Sequence, residues 1–207
     1  MCASAEIVWE PDGIYEGLDL ADEDLADIVA DGARLLDCRL TGCLVTGGRL
    51  ARTAWRHGGL NGVRMVGTQL NRSSWHGTTV DGCALSGCEA YEMRARRVHV
   101  RDSVLDSVNL RGAHLAEVTF ENCLLRDVDL ADATLSDVRF PGCRTERLDL
   151  TRVTLERVDL RGAELGILHG YDRLRGAVID AGQVIALAMP MAAHLGLTVL
   201  APDEDPA

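Results

Sequence analysis

Residues 108–132 read VNLRG AHLAE VTFEN CLLRD VDLAD, five blocks of five with Leu or Phe at every centre. The centres are Leu110, Leu115, Phe120, Leu125 and Leu130. Two residues before each stands Val108, Ala113, Val118, Cys123 or Val128. Extended in both directions, every fifth residue from Leu25 to Leu165 makes 29 positions, of which only Thr145 is polar. The slot two earlier stays small or apolar almost throughout, as at Ala33, Cys38, Cys43, Val63, Val98, Val138 and Ala163. The other three slots hold nearly all the Asp, Glu and Arg, and Gly recurs in the last slot.

A period of five fits neither an α-helix at about 3.6 residues nor a flat strand at about 2. It requires a chain that turns a corner every fifth residue, with one small and one large side chain pointing inward on each side. Gly in the last slot eases the tight corner. Four such sides close a coil that repeats at every twentieth position. Trp55 and Trp75 lie 20 apart, as do Phe120 and Phe140, so each pair should stack. Coils paired backbone to backbone rise roughly 4.8 Å each, which predicts about seven coils and a rod of roughly 35 Å. The fold class expected is all-β: a right-handed quadrilateral β-helix with a short C-terminal α-helix. Its parts are an N-terminal cap at 1–20, the β-helix at 21–178, and a C-terminal helix, extended segment and acidic tail at 179–207.

Ala113-His114-Leu115, Ala133-Thr134-Leu135 and Ala163-Glu164-Leu165 resemble the A(D/N)LXX unit of pentapeptide repeat proteins, with Val128-Asp129-Leu130 and Val158-Asp159-Leu160 as close variants. The resemblance covers about residues 18–180. The opening Tyr15-Glu16-Gly17-Leu18-Asp19-Leu20 resembles that of the quinolone-resistance, topoisomerase-protecting branch. So does the ending Leu174-Arg175-Gly176-Ala177-Val178-Ile179-Asp180 before an apolar helix. Members of that branch are thought to mimic duplex DNA and to dimerise.

A solenoid needs caps, because its end coils expose core and free edges. Val8, Trp9, Ile14 and Tyr15 could plug the start. Asp180 and Gln183 fit a capping box opening a helix. Pro190 should break or kink it, and Gly196 fits a C-terminal cap. Leu197, Val199 and Leu200 form a short extended tail, and Ala201–Ala207 is acidic and expected to fray. The helix is more apolar than a cap needs. It reads either as the cap of a monomer or as a dimer interface through Val184, Ile185, Leu187, Ala188, Met191 and Leu195; the resemblance implies the dimer.

Chemistry finds little support. Six of the seven cysteines (Cys38, Cys43, Cys83, Cys88, Cys123 and Cys143) occupy the inward small slot and read as small buried hydrophobes. Cys123 and Cys143 should stack one coil apart. There is no CxxC pair and no glycine-rich phosphate loop. His57 and His76 could be neighbours, which is too few ligands for a metal. No catalytic site, no metal and no cofactor are expected. No basic leader and no stretch of about eighteen apolar residues is present, which points to the cytoplasm rather than a membrane.

All 21 basic residues are Arg, and net charge is −11, against non-specific nucleic-acid binding. Charge is uneven: residues 1–31 carry −10, 32–101 carry +7, and 102–165 carry −5. DNA places one charge per roughly 1.7 Å, so about 35 Å of it holds roughly 20. Residues 21–165 sum to only −3, so the whole rod is a poor mimic. The C-terminal half is better, with Glu117, Glu121, Asp127, Asp129, Asp132, Asp137, Asp149 and Asp159 as its candidate partner-binding surface. Arg94, Arg96, Arg97 and Arg101 form a basic patch. It reads either as a solubilising cluster balanced by Glu89 and Glu92 or as an anion or partner site. Nearby, core residues shrink to Ala90 and Ala95, and Met93 could fill the gap. An apolar outward column (Leu44, Ala84, Val104 and Leu124, with Val66 nearby) could be covered by the N-terminal segment or dock a partner. The expectation is a non-enzymatic homodimer that binds a protein, with the resemblance implying a DNA-mimic acting on a type II topoisomerase such as DNA gyrase. The alternative is a general protein-interaction scaffold.

Overall fold

The computed structural model describes residues 7–200, so the acidic Ala201–Ala207 segment and Cys2 lie outside the described residues. The chain winds as a four-sided parallel β-solenoid closed by one helix. Face one is an eight-stranded sheet centred on Tyr15, Leu35, Trp55, Trp75, Ala95, Leu115, Leu135 and Leu155. Face two has six strands centred on positions 20 to 120, and face three has seven centred on positions 25 to 145. Face four is joined by single parallel bridges from Val29↔Arg49 to Asp129↔Asp149. Each of these ladders climbs one coil per step, for example Leu35↔Trp55 and then Trp55↔Trp75.

Eight coils form where counting from Leu25 gives seven, because the ladder already starts at Ile14, paired with Arg34. The start of the rod is closed by Trp9 and Tyr15, whose rings lie 4.8 Å apart. Tyr15 Oη accepts the Glu10 N–H at 2.7 Å and donates to the Val8 carbonyl at 3.0 Å. Val8 and Ile14, also expected in the plug, are exposed instead. Ile14 precedes an inward centre by one and therefore points outward.

The corners explain the five-residue period. The last residue of each block takes positive φ, as at Gly42 (64°), Asp22 (55°) and Asp127 (50°). Gly, Asp and Asn tolerate that left-handed conformation best. Backbone groups bond to the coils on either side: Gly42 N–H to Asn61 O at 2.8 Å, Arg64 N–H to Cys43 O at 2.9 Å.

The inward slots fill one continuous core from Leu20 to Ile167, with Leu187 of the helix added at the end. Phe120 and Phe140 stack at 5.1 Å with their planes 6° apart, and Trp55 meets Trp75 at 5.7 Å. Thr53, Thr68, Ser73, Thr78 and Ser103 also occupy buried small slots. A void of about 60 Å³ remains between Trp75, Ala90, Ala95 and Leu115. Met93 lines this void without filling it.

The register shortens by one residue in the last coil. Leu148 pairs with Ile167 and Val158 with Ala177, both 19 apart. Thr145, the one polar centre, sits beside this change. It is buried, and its hydroxyl accepts the Gly166 N–H at 2.9 Å.

The closing helix spans Ala181–His194, with the expected capping box between Asp180 and Gln183. Pro190 does not break it, since the helix continues to His194. The carbonyl that loses its donor belongs to exposed Ala186, where water can serve it. Gly196 (φ 73°) donates to Ala193 O and Leu197 to Ala192 O, a Schellman ending. Gln183 has a second role that its capping-box position does not reveal. Its buried amide donates to Leu160 O at 2.6 Å and Ala163 O at 2.7 Å, satisfying carbonyls of the final coil.

Removing that amide leaves the Ala163 carbonyl unserved and the Leu160 carbonyl with only the Ala163 N–H at 3.1 Å. Gln183→Leu should cost about 2–3 kcal/mol, read by chemical denaturation, with amide exchange rising first over the helix.

Candidate functional site

Chemistry at the cysteines is disfavoured. All six described cysteines are free and buried. Each makes a weak S–H···O bond to a backbone carbonyl, as Cys38 Sγ does to Tyr15 O at 3.3 Å. Burial pushes the Cys38, Cys83 and Cys88 thiols up. Cys123 and Cys143 stack as expected, the Cys123 N–H reaching Cys143 Sγ at 3.4 Å. Contact with Cys123, together with burial, pushes the Cys143 thiol up. No group of three or more metal-ligating side chains occurs among the described residues, and no helix there is long and apolar enough to cross a membrane.

The eight candidate acids do not form one strip. Glu117 and Asp137 sit on the corner between faces one and two, and Glu121 and Asp159 on face two. Asp127 lies on the corner between faces three and four, Asp132 on the corner between four and one, and Asp129 and Asp149 on face four. Most are also neutralised across the coils. Asp127 meets Arg147 at 2.5 Å, Asp132 meets Arg152 at 2.6 Å, and Asp137 meets Arg157 at 2.7 Å, each pair bridging adjacent coils. Glu117 takes both Arg96 and Arg97, Asp129 takes Arg111, and Asp159 takes Arg161. Glu121 meets His99 at 2.9 Å. Only Asp149 of the eight has no cationic side chain within 4 Å among the described residues.

The carboxylates left without such a partner gather at the other end. Asp12, Glu16, Asp19, Asp22, Glu23, Asp24 and Asp27 form no ion pair among the described residues. The next coil brings Arg34, Arg39, Arg49 and Arg52, but only Arg49 reaches a carboxylate, Asp31, among the described residues, so the more numerous acids of the first coil stay largely uncompensated.

The expected basic patch also divides. Arg101 lies on face two and pairs with Asp81, and Arg96 and Arg97 share Glu117. The expected counter-ions are engaged elsewhere, Glu92 by Arg72 and Glu89 by Asn109. Arg94 has no ion pair among the described residues. It lines a surface groove of about 520 Å³ on face one with Arg56, His57, His76, Arg96 and His114. The rings of His57 and His76 are neighbours there, 5.7 Å apart and edge to face.

The apolar outward column stacks on face three as Leu44, Arg64, Ala84, Val104 and Leu124, with Arg64 interrupting it. Val66 and Val104 are exposed, while Ile7 and Trp9 pack against the core, Trp9 on Tyr15. The described part of the N-terminal segment therefore leaves these two valines open to solvent.

On the closing helix, Leu187 is 2 % exposed and plugs the core, so it is not available to a second copy. Val184, Ala188, Met191 and Leu195 follow one another at helical spacing on an exposed stripe, and Ile185 beside it is 78 % exposed.

The ion pairs fix the sign of acid sensitivity. Arg97 and Arg96 hold the Glu117 carboxyl below the ordinary carboxylate range, as Arg152 does Asp132 and Arg157 does Asp137. The Arg161 hydrogen bond draws Asp159 down to about 2. A depressed carboxyl stabilises the fold above its unfolded value near pH 4 and loses that contribution as pH falls. The melting temperature should therefore be level from about pH 7 to 5, then fall between about pH 4 and 2. The fall should be shallower in Asp132→Asn/Asp137→Asn, as followed by circular dichroism.

Residues 73–150 match the family model described as a pentapeptide repeat region. Curated proteins give no match. Thirty chains among solved structures match. A trypsin-treated form of QnrB1, a plasmid-mediated fluoroquinolone resistance protein, shares 16 % identity and a TM-score of 0.71, covering 91 % of this chain and 99 % of that one. HetL, a pentapeptide repeat protein involved in heterocyst differentiation regulation from the cyanobacterium Nostoc sp., shares 18 % identity with a TM-score of 0.42, covering 83 % and 91 %. At such identity the QnrB1 likeness shows the fold, end to end. Residues 73–150 are thus a pentapeptide repeat region, and the same five-residue register and four-sided coil continue on both sides of them.

Proposed function

We propose that this chain is a non-enzymatic, cytoplasmic protein-binding protein that acts as a C-terminally joined homodimer on a type II topoisomerase such as DNA gyrase. The observation that carries the dimer is the closing helix. Gln183 and Leu187 hold one face on the rod, and the adjacent stripe of Val184, Ala188, Met191 and Leu195 is left in water. Apolar groups so exposed are usually an interface. The topoisomerase is supported by the family resemblance of both chain ends and by the likeness to a fluoroquinolone resistance protein over nearly its whole length.

Charge mimicry has a narrower basis than the acid count suggests. Eight coils span about 38 Å, over which DNA would carry roughly 22 charges. Seven of the eight C-terminal candidates are matched by Arg or His, so Asp149 and the unpaired N-terminal carboxylates would carry most of the attraction. The same pairing favours a second reading, a general interaction scaffold recognised by shape and apolar contact.

Sedimentation at micromolar concentration should show a dimer, and Ile185→Asp, which leaves the plugged face intact, should yield a folded monomer. A monomeric parent chain would sink the dimer. The purified protein should inhibit gyrase supercoiling or relieve its poisoning by a quinolone. If it does neither, the scaffold reading stands in its place.

A further inference from the structure

The groove on face one has a chemistry of its own. Arg56, His76 and Arg96 stack in one outward column on successive coils, and Ser74, Arg94 and His114 in the other. Small neighbours, Ser74 and Ala116, leave space between the long side chains, and His57 closes one corner. No carboxylate lines the groove.

Several arginines of this chain meet carboxylates of the adjacent coil, as at Arg147, Arg152 and Arg157. Arg56 and Arg94, like Arg34, Arg39, Arg52, Arg64, Arg139 and Arg175, form no ion pair among the described residues, and Arg96 is held at the rim by Glu117. His57, His76 and His114 likewise have no carboxylate within 4 Å there, whereas His99 and His194 do. Two unmatched guanidinium forks and three imidazoles that can each donate an N–H therefore converge on one concave surface. Concentrated positive charge without a counter-ion is unfavourable unless something external supplies it.

Spacing selects the class of anion. The Cα atoms of Arg56 and Arg94 lie two coils apart and two residues apart along the strand direction, about 12 Å. Donors distributed over that distance suit several charged oxygens in a row. A di- or triphosphate has them, whereas a single phosphate or carboxylate engages one fork at a time. We propose that this groove binds an oligophosphate group, anchored by Arg56 and Arg94 and bridged by His57, His76 and His114. The site is separate from the closing helix and does not rest on the topoisomerase reading.

The test is calorimetric titration of the full chain at low ionic strength with inorganic tripolyphosphate, pyrophosphate and phosphate. Affinity should rank in that order. Arg56→Ser and Arg94→Ser should each weaken tripolyphosphate about tenfold or more, as expected for loss of a charged hydrogen-bonding partner. Arg94→Lys, which keeps charge but loses the fork, should fall between. Arg175→Ser, at the far end of the rod, should change nothing. These side chains are solvent-facing, and circular dichroism checks that every variant keeps the β-solenoid. Absence of tripolyphosphate binding, equal affinity for all three anions, or equal weakening by Arg175→Ser would overturn the site. Tighter binding of a poly-glutamate peptide than of tripolyphosphate would also overturn it, in favour of an acidic protein surface.

Discussion

One backbone constraint underlies the molecule: a left-handed corner at every fifth position. Because the corner recurs at fixed spacing, four of them bring the chain back above itself, and each strand finds its partner in the next coil. The free N–H and C=O groups of one coil are then served by its neighbours at 2.6–3.3 Å. Only after that pairing do the inward slots form a continuous core. The repeat therefore cannot be divided into a backbone contribution and a side-chain contribution, since each coil supplies both to the next.

The same stacking governs the surface. A side chain on the outside has its closest non-local neighbours one full coil away in sequence. Charge is therefore read along columns rather than along the chain. Asp127 over Arg147, Asp132 over Arg152 and Asp137 over Arg157 are distant in the chain and adjacent in space. A segment that sums to an acidic total can thus present a largely compensated surface. The N-terminal coil, whose acids outnumber the four arginines of the next coil and pair with only one of them among the described residues, keeps its negative charge.

The ends show where regularity gives way. Thr145 marks the change to a shortened final coil, and Gln183 serves carbonyls that no further coil will meet. The helix thereby becomes part of the rod on one side and an open apolar stripe on the other.

The sequence by itself determined the period, the four-sided coil, the inward residues including the six cysteines, and the capping box. All of these are local or strictly periodic, so spacing alone reveals them. With the four-sided coil accepted, the Asp–Arg ladders were also legible as opposite charges one coil apart; summing charge by segment hid them. The columns of Arg56 with His76 and of Arg94 with His114 were legible in the same way, at 20-residue spacing. Tertiary structure alone decided which acids remain unpaired and that Leu187 is plugged while Val184 and Ile185 are free. Those outcomes depend on side-chain reach and on where the last coil shortens. Neither is periodic, so the repeat could not announce them.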